Sequence, residues 1–287
     1  MTTAFVLSGG ASLGAIQVGM LQALGDAGIE PDLWVGTSVG AVNAAFMSGH
    51  PGPEAADRLA DLWRGIRRAT IFPARPLTGL LGFAGRQPNL VSPRPLRALM
   101  RANLTFARLE EAPVPIHAIA VDVVTGRDVR LSSGPALESI MASAAIPGVY
   151  PPVTIDGVAY MDGGVVNNAP ISHAVALGAD TIWVLPAGYA GSLPKPPRSA
   201  LGMALHGLTV LVQRRLYDDV ALYRDRADLR VAPPLDGVMN SPADFSHTAD
   251  LMARARASTR AWIEAGATTD PERPPPAQHK TDHLRTE

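Results

Sequence analysis

Short, continuously apolar runs alternate along this chain with longer stretches of mixed polarity, and the two patterns predict different elements. Ala4-Phe5-Val6-Leu7 and Leu33-Trp34-Val35 are apolar throughout, and Thr181 to Leu185 is apolar after its first residue, as expected of strands buried on both faces. Pro115 to Val124, rich in β-branched residues, predicts another such strand. Thr125-Gly126-Arg127 then turns the chain into a partner strand near 128–131. Val153 to Met161 reads as a hairpin about Asp156-Gly157, a pair that tolerates the positive φ of a tight turn. Asp228 to Val231 is a further candidate strand.

Helical spacing fills the gaps. From about Ala15 to Ala27 the apolar residues Ile16, Val18, Met20, Leu21 and Leu24 recur mostly at helical intervals, and Gly28 ends the run. After Ser38 a helix passes through Ala41, Ala44 and Ala45, small enough to pack closely on a sheet. Residues 55–68 place Leu59, Leu62, Trp63 and Ile66 on one side. Helices are also expected over 199–226 and 246–265, the second capped by Ser246 and closed by Gly266. The first of these carries Leu201, Leu205, Leu208, Leu211, Val212 and Leu216, as core or as the wall of an apolar pocket. From about 70 to 95 the chain is rich in proline and glycine, which predicts an irregular, lid-like insertion with Leu77, Leu80, Leu81 and Phe83 as its apolar content. Residues 267–287 are polar and proline-rich and are expected to be a disordered tail. Strands alternating with helices predict one α/β domain over 1–266 with a mostly parallel central sheet.

Composition narrows the chemistry. The 287 residues carry a net charge of −1, which gives no support for nucleic-acid binding. The absence of cysteine excludes disulfides, thiolate metal sites and a cysteine nucleophile. No metal or cofactor is expected. The first 25 residues are uncharged, yet they lack the basic start of a secretory signal and are broken by Gly9, Gly10 and Gly14. A cytoplasmic protein is the expectation, with peripheral contact at a membrane surface.

Two glycine-bracketed turns carry the candidate chemistry. Ser8-Gly9-Gly10-Ala11-Ser12-Leu13-Gly14 follows the first strand, and Gly36-Thr37-Ser38-Val39-Gly40 follows the second. Glycine two positions either side of a serine, between strand and helix, is the elbow that exposes a nucleophilic hydroxyl. The plainer reading is a turn with Ser38 as helix cap. The first loop approaches a dinucleotide fingerprint, but no acidic residue ends the second strand to hold a ribose. An oxyanion hole fits better, with the N–H groups of Gly10 and Ala11 facing an intermediate on Ser38. The base is open at this point. His173, His206 and His247 are candidates for a Ser–His–Asp triad. Asp162, in Tyr160-Met161-Asp162-Gly163-Gly164, is the more economical choice, provided burial raises its pKa. A non-catalytic lipid-binding module is the remaining class.

The order of Gly9-Gly10, then Ser38 within Gly36–Gly40, then Asp162-Gly163-Gly164 resembles the patatin-like phospholipases. Ala142-Ser143-Ala144-Ala145-Ile146-Pro147-Gly148, Pro151-Pro152-Val153 and Asn168-Ala169-Pro170 extend the likeness, which covers roughly residues 4–187. The resemblance implies a three-layer α/β/α fold and a Ser38–Asp162 dyad without histidine. It also implies an oxyanion hole from the loop Gly9, Gly10, Ala11 and Gly14, and acyl esters of glycerolipids as substrates. Ala11 stands where the family usually has a third glycine, and Leu13 where it has a basic residue. A methyl at Ala11 is tolerated if φ there is not positive, and the missing cation predicts a preference for uncharged acyl esters.

Overall fold

The computed structural model describes residues 1–72, 89–187, 200–235 and 243–268, together with Pro196 and Val238. The lid-like leucines, Phe83 and residues 269–287 of the expected tail lie outside these residues, whereas Ala267 is buried and Thr268 O accepts from the Trp262 indole, so the tail begins later than expected. The elements run β1 (Thr3–Leu7), α1 (Gly14–Asp26), β2 (Leu33–Thr37), α2 (Val39–Gly49), α3 (Ala55–Gly65), α4 (Arg68–Ile71), α5 (Arg94–Asn103), β3 (Ile116–Asp122) and β4 (Asp128–Leu131). Then follow α6 (Ala136–Ser143), β5 (Val153–Ile155), β6 (Val158–Asp162), α7 (Ile171–Ala176), β7 (Thr181–Leu185), α8 (Ala200–Tyr223), β8 (Asp228–Val231) and α9 (Thr248–Glu264).

The sheet order is β5-β6-β3-β2-β1-β7-β8, with β4 also paired to β3. From β3 through β8 the pairs are parallel, whereas β4, β5 and β6 pair antiparallel. Strand side chains alternate between two cores, as a sheet covered on both faces requires. Phe5, Leu7 and Trp34 face the core built with α1, α2, α3, α5 and α9. Ala4, Val6 and Val35 face the smaller core under α7 and α8. The result is three layers, α/β/α.

One pairing detail places the active site. Successive residues of a strand turn their N–H and C=O groups to opposite edges. In β3, Val123 N–H bonds Ala159 O beside β6 and Pro115 O accepts from Trp34 beside β2, while Asp122 N–H bonds Arg127 O beside β4. Residues 115 and 123 share parity, so β2 and β6 lie on the same edge of β3. Because they run in opposite directions, their C-terminal ends meet, Thr37 opposite Ile119 and Asp162 opposite Ala120. The residue after one strand and the last residue of the other are thereby brought together.

Several local expectations change. The helix expected to be capped by Ser246 starts at Thr248 without a side-chain cap; Ser246 instead donates to Asp244 Oδ1 (2.7 Å). Gly266 does close it, at φ 97°. Helices α5, α6 and α7 were not legible from periodicity, because each is short and begins beside a proline. Among the described residues, no helix is long and apolar enough to cross a membrane.

Candidate active site

Ser38 sits between β2 and α2 with φ 55° and ψ −125°, a conformation that costs a non-glycine residue of order 1–3 kcal/mol. Its surroundings hold it there. Gly40 packs so closely that a Cβ would lie 2.2 Å from Leu7 O, and one on Gly36 would meet Ala41 at 2.6 Å. Ser38 O accepts the first helical bond from Val42, and Ser38 N–H donates to Ser143 Oγ (2.9 Å). Ser143, fully buried at the end of α6, donates in turn to Ile119 O (2.6 Å). It therefore fills the gap on the β3 edge where the two strand ends meet.

Asp162 is 5% exposed, and the Ser38 side chain is near enough to favour the charged form of its carboxylate. Gly164 N–H donates to its Oδ1 (2.7 Å), and Asp162 N–H bonds Ala145 O (3.0 Å). Burial pushes the Asp162 carboxyl up to about 6, while the Ser38 side chain and the hydrogen bond from Gly164 pull the other way. Gly163 makes this approach sterically feasible, since a Cβ there would lie 2.3 Å from Ile119 O. A carboxylate titrating near 6 is a far better base at neutral pH than an exposed aspartate.

The glycine loop lies beside Ser38: a Cβ on Gly9 would lie 2.4 Å from Asn168 Oδ1 and 3.1 Å from Ser38 Cβ. Gly9 N–H is engaged by Asn168 O (3.2 Å), and Asn168 Nδ2 reaches back to Gly9 O (3.3 Å). The N–H groups of Gly10 and Ala11 have no partner among the described residues, and Ala11 lines the cavity with Ser38. Gly14, expected in the same hole, is placed otherwise. Its N–H bonds the carbonyls of Ala11 and Ser12, and it packs α1 against Val39 and Trp63. Ala11 has φ 50°, so the condition under which its methyl would be free of strain is not met. Leu13 packs against the larger core. The α2 N-terminus, directed at Ser38, adds the positive end of a helix dipole.

Buried polar side chains that the sequence reading passed over stitch these pieces together. Gln17 Nε2 donates to Ser8 O (2.8 Å) and Leu185 O (3.0 Å), its Oε1 accepts from Asn43, and Asn43 Oδ1 accepts from the Trp63 indole. Thr37 Oγ1 donates to Asn167 O (2.9 Å). A polar residue recurring on an otherwise apolar helix was the available signal for Gln17 and Asn43. For Ser143 there was none beyond its place in the Ala142–Gly148 segment.

Two of the three candidate triad histidines are engaged elsewhere. His173 Nε2 pairs with Asp128 Oδ2 (2.9 Å), and His247 lies 3.8 Å from Asp244 on the surface. The side chain of His206 is outside the described residues. Among those residues no group of three or more His, Asp or Glu side chains is gathered as a bound cation would need.

A cavity of about 780 Å³, part of it open to solvent, runs from Ser38 between α2, α3 and α5. Val39, Val42, Phe46, Leu59, Leu62, Leu96, Leu99 and Met100 are among its walls, with Ile71, Phe72, Tyr150 and Phe245. The Trp63 indole N–H is turned onto Asn43, and the Tyr150 hydroxyl donates to Ile71 O. Asn103 is the other polar side chain in the lining. Helix α8, expected as core or pocket wall, is on the opposite layer, where Leu216 is buried.

The patatin-like phospholipase family model matches residues 5–175, and the chain belongs to that family. A lysophospholipase NTE1 of Pyricularia oryzae is 28% identical over 219 residues, 73% of this chain but 13% of that protein. An uncharacterized NTE family protein of Mycobacterium tuberculosis is 28% identical over 197 residues, 69% of this chain and 51% of its own length. This chain thus spans about half of the mycobacterial relative and about an eighth of the fungal one. Among solved structures, VipD from Legionella pneumophila is 14% identical, covering 92% of this chain and 67% of its own at a TM-score of 0.46. Human group IVD cytosolic phospholipase A2, in complex with methyl γ-linolenyl fluorophosphonate, is 11% identical, covering 93% and 58% at 0.45.

Proposed function

We propose that this chain is a serine acyl hydrolase that cleaves fatty-acyl esters of lipids with Ser38 as nucleophile and Asp162 as its base. The observation that carries the proposal is the buried Asp162 carboxylate beside a strained Ser38 that lines an apolar cavity. Ser38 Oγ attacks the ester carbonyl while its proton passes to Asp162. The tetrahedral oxyanion is met by the N–H groups of Gly10 and Ala11 and by the α2 N-terminus. Collapse expels the alcohol, which takes the proton from Asp162 and leaves an acyl ester on Ser38. Asp162 then accepts a proton from the attacking water, and the second collapse returns that proton to Ser38 and releases the fatty acid.

Family membership and relatives named as lysophospholipases support a lipid ester as substrate. With Leu13 packed on the core in place of a cation, uncharged acyl esters are favoured over phospholipids. Transient contact with a lipid surface delivers them. The test is hydrolysis of a chromogenic acyl ester by wild type, Ser38→Ala, Asp162→Asn and His173→Ala. The first two variants should each lose at least about 10³-fold in kcat/KM, and the third should stay within about threefold. Loss in His173→Ala with retention in Asp162→Asn would replace the dyad by a triad.

A further inference from the structure

The cavity has a direction and an end. Val39, Val42 and Phe46 line it from successive turns of α2, starting beside Ser38. Helix α3 follows α2 after a short loop and runs back toward Ser38, since Trp63 reaches Asn43 and packs near Val39 and Gly14. Leu59 therefore lies on the side away from Ser38. Helix α5 ends at the same far side: Thr105 Oγ1, just past it, donates to Gly49 O at the end of α2 (3.0 Å). Asn103 and Leu104 line the cavity there, and Asn103 Nδ2 donates to Leu99 O (2.8 Å). An apolar tube thus leads from the nucleophile to Phe46, Leu104 and a polar amide.

We infer that this tube gauges the length of a single unbranched acyl chain, with Phe46 and Leu104 as its stop. The inference rests on the acyl-hydrolase reading above. Phe46 is eight positions beyond Ser38, about 12 Å along the helix axis. An extended chain of single bonds advances about 1.2 Å per bond, so the tube accommodates an acyl group of about eight to twelve carbons. A longer chain must displace Phe46 or push methylenes against the Asn103 amide, which is unfavourable in an apolar surrounding. Val42 stands halfway along, one helical turn before Phe46.

The experiment uses the purified full chain and p-nitrophenyl esters from C4 to C18, below their aggregation concentrations. In parallel, Ser38 is labelled with a short ethyl fluorophosphonate, whose chain does not reach the stop. The kcat/KM profile should peak between C8 and C12 and fall at least about tenfold by C16. Phe46→Ala or, on a different helix, Leu104→Ala should move the peak up by about two to four carbons. Val42→Phe should move it down to about C4–C6. Opposite shifts cannot arise from loss of folding. Labelling of Ser38 with a peak beyond C14, or with a peak that none of these variants moves, overturns the gauge and leaves the hydrolase standing. Neither labelling nor turnover at any chain length overturns both.

Discussion

Two strand–turn–helix units lie side by side in this sheet, and they use the same backbone plan for opposite ends of one reaction. In β1–loop–α1 the turn contributes bare backbone: Gly9 N–H is tied to Asn168, while the next two N–H groups are left unpartnered among the described residues. In β2–elbow–α2 the turn contributes a side chain: Ser38 N–H is engaged by Ser143 and the hydroxyl faces Asp162. Which N–H groups the surrounding structure satisfies decides which turn offers an anion site and which a nucleophile. The difference is imposed from outside both turns, by Asn168 from the loop after Asp162 and by Ser143 at the end of α6.

Among changes that leave Ser38 and Asp162 in place, breaking the first turn should have the largest effect. In Gly10→Ala the new Cβ would meet Ala187 Cβ at 2.6 Å, displacing both free N–H groups, and kcat should fall by about 10²–10³ with KM little changed. Breaking the support of the second turn comes next. Ser143→Ala leaves Ser38 N–H and Ile119 O buried without partners, so about 1–3 kcal/mol of stability should be lost by denaturant titration. Its kcat should drop by about 10–100-fold, and Ser143→Cys, which keeps a weak donor and acceptor, should recover part of it.

Titration separates the base from its scaffold. The acid limb of kcat/KM should have its midpoint near 6, with activity rising as Asp162 loses its proton. Between about 4 and 6 the folded protein keeps a proton that the unfolded chain has released, so stability falls as pH rises through that window and levels above it. Asp162→Asn removes the buried charge. Its stability should exceed wild type by about 2–3 kcal/mol above pH 6 and match it below pH 4, although the variant is inactive. The smallest effect belongs to Ala11→Gly. Relief of the φ 50° strain and the greater unfolded-state freedom of glycine oppose each other, so the net change should stay within about 0.5 kcal/mol.

Much of this was legible in the chain. Buried parallel strands are uniformly apolar, so β1, β2, β3 and β7 stood out, and the two turns were marked by glycines that close packing requires. Asp156-Gly157 announced its hairpin, and φ values of 48° and 82° are what such a turn needs. What sequence could not carry was the shared edge of β3, which depends on two registers at once, Thr37 against Ile119 and Asp162 against Ala120, and alone brings Asp162 to Ser38. Nor could it carry Gly14's packing role, the positive φ at Ala11 or the work of Ser143, because each is defined by a neighbour remote in the chain. The helix over 199–226 was expected as core or pocket wall, and its Leu216 is core; the pocket formed on the other face, between α2, α3 and α5.

The most direct test of the Ser38–Asp162 account is intact-mass and peptide mapping after reaction with a fluorophosphonate, on wild type and Asp162→Asn. One adduct, on Ser38, formed at least about 10²-fold more slowly in the variant, is the predicted result. An unlabelled Ser38 in folded wild type, or equal labelling rates in the two proteins, would contradict it.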